Sequence, residues 1–118
     1  MIELPVNDEI YLKQLQPLDA PALYQQLDVS RKHLRKFLPW VDYNTKEEHS
    51  LRFIEMMQRK AEEQEAVAFG IWYRNAFCGV IDIHSWDREL HIAEIGYWVG
   101  TAFQGKGIAT AAAKAVIS

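Results

Sequence analysis

The sequence predicts a mixed α/β (α+β) fold: a mostly antiparallel sheet with helices on both faces, its elements in the order β-α-α-α-β-β-β-α. Three observations carry that expectation. Apolar residues recur at helical spacing between 46 and 64, three strand-like runs follow closely, and the chain closes on an alanine-rich segment. The 118 residues suit one domain. Folding at this size buries somewhat over ~60% of the unfolded surface, enough for one modest core.

Residues 9–15 (EIYLKQL) alternate as a strand does. Asp19 then reads as a helix N-cap, with Pro21 tolerated in the first turn and Leu23 and Leu27 sharing a face. Ser30 reads as the cap of a second short helix through Leu38, apolar at Leu34, Phe37 and Leu38 and stopped by Pro39. Thr45 and Glu48 form a T-x-x-E capping box. Leu51, Ile54, Met57 and Ala61 follow at helical spacing, which predicts a helix over 46–64 with a solvated outer face.

The runs 66–74 (AVAFGIWYR), 77–84 (FCGVIDIH) and 90–99 (LHIAEIGYWV) predict three strands. The first two are apolar on both faces, as covered central strands are. Asn75 and Ala76 separate them as a tight hairpin turn, and Ser85 through Glu89 make a polar turn before the third. A helix starting near Gly105 runs to the end, and Ala109, Ala111, Ala112, Ala113 and Ala115 let it sit close against a sheet.

Composition narrows the function classes. The chain is 49% hydrophobic and 25% charged with net charge −3, so no global basic field points to nucleic acid. Arg31, Lys32, His33, Arg35 and Lys36 form one basic cluster, either a solvated helix face or a docking patch for an acidic partner. Cys78 is the single cysteine, so no internal disulfide forms. Buried between Phe77 and Gly79, it is expected to be inert. The four histidines, at 33, 49, 84 and 91, lack ligand spacing, so no metal is expected. With no secretory signal and no long apolar run, the expectation is a cytoplasmic protein without a membrane span.

The segment GYWVGTAFQGKGIAT (96–110) sets a glycine-punctuated turn ahead of the last helix. Unpaired N–H groups and the helix dipole make such a turn an anion site, glycine lets a phosphate approach the backbone, and Lys106 adds charge. Three phosphate patterns compete. A Walker A loop from Gly100 fails at Gly107, where a magnesium-binding Ser or Thr belongs. A dinucleotide fingerprint from Gly105 ends on Thr110 instead of glycine, and its acidic partner about 20 residues on would lie past the last residue. The pattern Q/R-x-x-G-x-G/A fits in full as Gln104-Gly105-Lys106-Gly107-Ile108-Ala109. A helix N-terminus holding no ligand is the remaining alternative.

With that loop the chain resembles the GNAT superfamily of N-acetyltransferases. AEIGYWVG (93–100) and HLRKFLPWV (33–41) are similar to its RimJ/RimL branch, which acetylates N-terminal amines of ribosomal proteins, and the order of elements agrees throughout. The resemblance implies acetyl-CoA as acetyl donor, no metal, and an amine acceptor, either a protein N-terminus or a small amine. It implies that Tyr97, Trp98 and Val99 offer backbone groups to the pantetheine arm. It also implies that Gln104, Gly105, Lys106, Gly107, Ile108 and Ala109 offer amides to the diphosphate, with Thr110 close by. Dimerisation is common in that family.

Aminolysis of a thioester needs a proton acceptor for the amine. Glu94 is the candidate base, because a carboxylate within an apolar strand needs a reason; the alternative is a carboxylate paired with Arg or Lys, or turned to solvent. Asp82 and His84 share a strand face and suit a proton relay, although His84 also reads as a rim histidine. Trp40 and Tyr43 are candidates for the acceptor pocket or for ordinary packing, and Trp72 and Trp98 read as core residues.

In the resembled family the domain continues past the diphosphate helix, with strands and an N-x-x-S-type segment that supplies the thiolate's proton. The expectation is therefore that residues 1–118 form the N-terminal two-thirds of a single acetyltransferase domain, truncated and inactive alone, with EIGYWV as an uncovered sheet edge. The competing functions are a non-catalytic acyl-CoA-binding module and a magnesium-nucleotide enzyme.

Overall fold

Alternation along the strands sends apolar side chains to both faces of a single sheet. The computed structural model describes residues 3–87 and 89–117. Its sheet has five antiparallel strands in the order β1 (Glu3–Pro5), β2 (Ile10–Gln14), β3 (Val67–Tyr73), β4 (Ala76–Asp87) and β5 (Ile92–Val99). The helices are α1 (Ala20–Val29), α2 (Arg31–Leu34), α3 (Glu47–Glu62) and α4 (Ile108–Ile117). Short 3-10 turns lie at Pro17–Asp19, Pro39–Tyr43 and Thr101–Phe103. No helix among the described residues is long and apolar enough to cross a membrane.

Two cores flank the sheet. On one face Leu23 and Leu27 of α1 and Ile54 and Met57 of α3 pack over Ala68, Phe77, Val80 and Trp98. On the other, Ile108 and Ala112 of α4 meet Leu12, Phe69, Ile71, Cys78 and Ile81. Burying each large aliphatic side chain contributes roughly 1.5–3 kcal/mol, so both layers are needed to hold the sheet. Ala112 is fully buried, as the alanine-rich run anticipates: small side chains bring α4 down onto the strands.

A bulge sets the phase of β4. Ile71 pairs with Gly79 and Trp72 with Phe77, leaving Cys78 as the extra residue. Phe77 and Val80 therefore join one core while Cys78 and Ile81 join the other. The Cys78 thiol donates to the Ile71 carbonyl at 3.3 Å, and burial pushes it from its ordinary 9.0 up to about 12.

Several local expectations shift. A first strand, Glu3–Pro5, was not legible in the sequence. Asp19 stands at the N-cap of α1, as expected, but its carboxylate makes no bond to that helix; it accepts from the Gln16 N–H at 2.9 Å across the Pro17–Asp19 3-10 turn. The helix after Ser30 ends at Leu34 instead of Leu38. The capping box at Thr45 and Glu48 does not form: the cap is Lys46, the Thr45 N–H donates to His49 Nδ1 at 3.0 Å, and Glu48 pairs with Arg52. The hairpin turn is Arg74-Asn75, both left-handed at φ 50° and 67°, as a two-residue turn requires. β4 runs on through Asp87, absorbing the first part of the expected 85–89 turn. Finally, α4 begins at Ile108, because Gly105 and Gly107 adopt φ 78° and 73° and cannot belong to a right-handed helix.

Two outcomes test this packing. A Cβ on Gly79 would collide with the Trp98 carbonyl oxygen and sit 2.9 Å from Val99 Cα, both backbone atoms with little room to yield. Gly79→Ala is expected to cost about 1–3 kcal/mol, read as a lower denaturant midpoint at constant slope; an unchanged midpoint would contradict the close approach of β4 and β5. For Cys78 the unfolded thiol ionises before the folded one as pH rises. Its stabilising contribution is complete below pH 9 and is lost as pH climbs from 9.0 toward about 12. Iodoacetamide at pH 8 should leave Cys78 untouched until denaturant is added, and rapid native labelling would refute its burial.

Candidate active site

The exit from β5 is tied down on two sides. The Gly100 N–H donates to the Cys78 carbonyl at 2.7 Å, so the β4 bulge holds it from one side. The Thr101 N–H donates to Ser30 Oγ at 2.8 Å, so the junction of α1 and α2 holds it from the other. Ser30 is buried, and a Cβ on Gly100 would displace the end of the Gln26 side chain, whose Oε1 lies against that glycine.

Beyond the Thr101–Phe103 turn lies the glycine loop. Gly105 and Gly107 supply left-handed backbone, and a Cβ on either would meet nothing within 4 Å, so the approach to the loop is open. The Ala111 N–H bonds the Gly107 carbonyl at 3.0 Å. The amides of Ile108, Ala109 and Thr110 come before that first i→i−4 bond and are the orphan donors of the α4 N-terminus. A cavity of about 260 Å³ opens over them, lined by Val99, Phe103, Gln104, Gly105, Gly107, Ile108, Ala109 and Thr110. Lys106 is exposed in the same turn. Donor amides, the helix dipole and a lysine make this loop fit for a diphosphate.

Two further cavities carry the path across β5. One of about 330 Å³ shares Val99 and Gln104 with the loop and adds His33, Leu34, Phe37, Leu38, Tyr97 and Trp98. The next, of about 180 Å³, shares Leu38, Tyr97 and Trp98 and adds Trp40, Phe53, Val80, Asp82, His84 and Gly96. Tyr97 is 55% exposed at its lip, whereas Trp98 is buried in the core beneath. On its open side β5 pairs with no other strand among the described residues.

The path ends on titratable side chains placed by strand register. Asp82 lies opposite Gly96, and His84 opposite Glu94. His84 Nδ1 is 3.1 Å from Asp82 Oδ1, and its Nε2 is 3.2 Å from Glu94 Oε2. Glu94 therefore partners an imidazole, neither an Arg nor a Lys. Among the described residues no cluster of His, Cys, Asp and Glu is arranged to hold a metal ion.

Trp40 and Tyr43 part company. Trp40 lines the inner cavity, while Tyr43 is 81% exposed on the same turn and outside that cavity. Arg31 fixes this turn by donating to the carbonyls of Val41 and of Asn44, the latter at 2.7 Å. It thereby leaves the solvated basic cluster that the sequence suggested. Buried Ser50 donates to Asn44 Oδ1 at 3.1 Å, closing the far end of the turn. Phe53, which walls the inner cavity from α3, was missed; its spacing of four from Met57 marks a second apolar flank beside the main stripe.

Removing the Ser30 hydroxyl leaves the Thr101 N–H without its acceptor, a loss of about 1–3 kcal/mol for a group held from water. Ser30→Ala is expected to speed amide exchange at Thr101, and unchanged protection there would show that other contacts hold the loop.

Known proteins resemble this chain in sequence and in fold. The ribosomal-protein-serine acetyltransferase of Escherichia coli K12 is 25% identical over 114 residues, covering 97% of this chain and 64% of its own. YdaF of Bacillus subtilis strain 168, provisionally named a ribosomal N-acetyltransferase, is 30% identical over 119 residues, covering 100% of this chain and 65% of its own. The chain thus spans just under two-thirds of the length of these relatives. Among solved structures, RimL, a ribosomal L7/L12 alpha-N-protein acetyltransferase in complex with coenzyme A, superposes with TM-score 0.94 at 25% identity, covering 98% of this chain and 66% of that one. MccE, a microcin C7 self-immunity acetyltransferase in complex with acetyl-CoA and AMP, gives 0.92 at 32% identity, covering 95% and 62%. The family model described as an acetyltransferase (GNAT) domain matches residues 9–118, and on that match, together with the fold just described, the chain belongs to the GNAT acetyltransferase family.

Proposed function

We propose that the chain forms the coenzyme-binding and proton-accepting part of an acetyl-CoA-dependent N-acetyltransferase domain, acting on a primary amine. The observation that carries this reading is the continuous path from the Gln104–Thr110 loop, across Tyr97, Trp98 and Val99, to His84. The loop amides and Lys106 would hold the diphosphate, and the open edge of β5 would receive the pantetheine arm. The thioester would then lie beside His84 and Glu94.

Amines are largely protonated near neutral pH and attack only once a proton is lost. Glu94 and His84 together would accept that proton, with Trp40 and Phe53 walling the acceptor's side of the cavity. The amine nitrogen bonds the acetyl carbon, the C–S bond breaks, and the thiolate leaves to be protonated. One ammonium and one thioester give one amide, one thiol and one released proton.

A protein N-terminus is the favoured acceptor, supported by the names of the Escherichia coli relative and of RimL, and a ribosomal acceptor would place the protein in the cytoplasm. A small amine is the second reading: MccE, at 32% identity, is named for microcin C7 self immunity and not for a ribosomal protein.

Calorimetric titration tests the reading directly. Acetyl-CoA and CoA are expected to bind without magnesium, and Mg-ATP is not. Gly107→Val, which forces a β-branched residue to a left-handed φ, should weaken acetyl-CoA at least tenfold, about 1.4 kcal/mol or more. Failure of acetyl-CoA to bind would overturn the reading. Binding by the full-length protein without acetyl transfer to peptide N-termini or to small amines would establish a non-catalytic acyl-CoA module in its place.

A further inference from the structure

Asp82 has no role in the reaction as outlined, yet strand register and a glycine place it with care. Its Oδ1 accepts from the Gly96 N–H at 3.1 Å and lies 3.1 Å from His84 Nδ1. A Cβ on Gly96 would sit 2.9 Å from that same oxygen, so the glycine leaves the space the carboxylate occupies. Across the ring, His84 Nε2 faces Glu94 Oε2 at 3.2 Å.

A neutral imidazole carries one N–H, and here two carboxylates flank it. Exposure decides between them. The Asp82 side chain is 23% exposed and anchored by the Gly96 amide, whereas that of Glu94 is 69% exposed at the sheet edge. The Asp82 contact is screened less and has a partner already oriented, so it keeps the proton.

We propose that Asp82 is the positioning residue of this site: it holds the neutral His84 ring with its proton on Nδ1, leaving the Nε2 lone pair to take a proton from the acceptor ammonium. In that step an N–H bond of the ammonium breaks, its electron pair stays on the amine nitrogen, and a new N–H bond forms at Nε2. The resulting imidazolium donates from both ring nitrogens, to Asp82 and to Glu94, so both carboxylates are satisfied only after proton transfer. The purpose of this arrangement rests on the acetyltransferase reading; its test does not.

Long-range proton–nitrogen correlation spectra of the histidine rings, recorded where the rings are neutral, read the tautomer directly. In the wild-type chain His84 is expected to show a protonated Nδ1 and an unprotonated Nε2. Asp82→Ala should move the proton to Nε2, the form free histidine favours. Gly96→Ala, which crowds the carboxylate without removing it, should shift the ring the same way and stands in where Asp82→Ala fails to fold. A wild-type ring protonated on Nε2 overturns the assignment, as does a tautomer unmoved in a folded variant. Where acetyl transfer is measurable, Asp82→Ala should lower kcat at least tenfold with KM for acetyl-CoA unchanged, and an unchanged kcat also overturns it. A correct wild-type tautomer in a full-length protein that transfers no acetyl group upholds the assignment of Asp82 and counts against the acetyltransferase reading alone.

Discussion

The pairing of β4 with β5 is the constraint on which the rest depends. Side chains alternate across a strand with a period of two, so a slip of one residue would turn His84 and Asp82 away from the cavity. The register that puts Asp82 opposite Gly96 and His84 opposite Glu94 also puts Gly79 opposite Val99. At Gly79 the backbone of β5 comes too close for any side chain, and at Gly96 a side chain from β4 fills the space instead. The two glycines thus act in opposite senses, one bringing the backbones together and the other making room for a carboxylate.

The bulge at Cys78 extends this control to the glycine loop. By adding one residue to β4 it shifts the phase of alternation, which lets Phe77 and Val80 meet the α1–α3 layer while Cys78 and Ile81 meet α4. The same residue offers its carbonyl to Gly100, just where the chain leaves β5. Ser30 takes the next amide from above. The turn is therefore bonded to both the sheet and the helical layer before it reaches Gly105, and the loop's left-handed glycines start from a fixed point.

What the sequence reveals follows the range of the interactions involved. The α3 stripe, the apolar runs of β3 and β4, and the Gln104–Ala109 pattern are encoded within a few residues, and they stand where they were expected. The misplaced ends lie where one local option competes with another. Thr45 and Glu48 spell a capping box, but His49 takes the Thr45 amide and Arg52 takes the Glu48 carboxylate. Asp19 has the right chemistry for a cap and stands at the N-cap of α1, but the tighter turn begun by Pro17 gives its carboxylate the Gln16 amide instead of one in the helix. The bond from Thr101 to Ser30 spans 71 residues and leaves no local trace. The same holds for Arg31, which reads as one more basic residue until the fold brings two carbonyls to it.

The proposed function divides its work between backbone and side chain, and that division explains which parts are easy to read. The anion recognition proposed for the loop would use amides that any residue carries, so its signature is the glycine spacing that frees the backbone. The proposed proton transfer at the other end needs particular functional groups, but the residues offered for it sit on two strands and show no spacing of their own. Asp82 and His84 are two apart on β4, while Glu94 comes from β5; only the antiparallel register makes them a cluster. A slip in that register would leave the loop pattern intact while separating Asp82, His84 and Glu94. This cluster is therefore a property of the sheet before it is a property of any one residue.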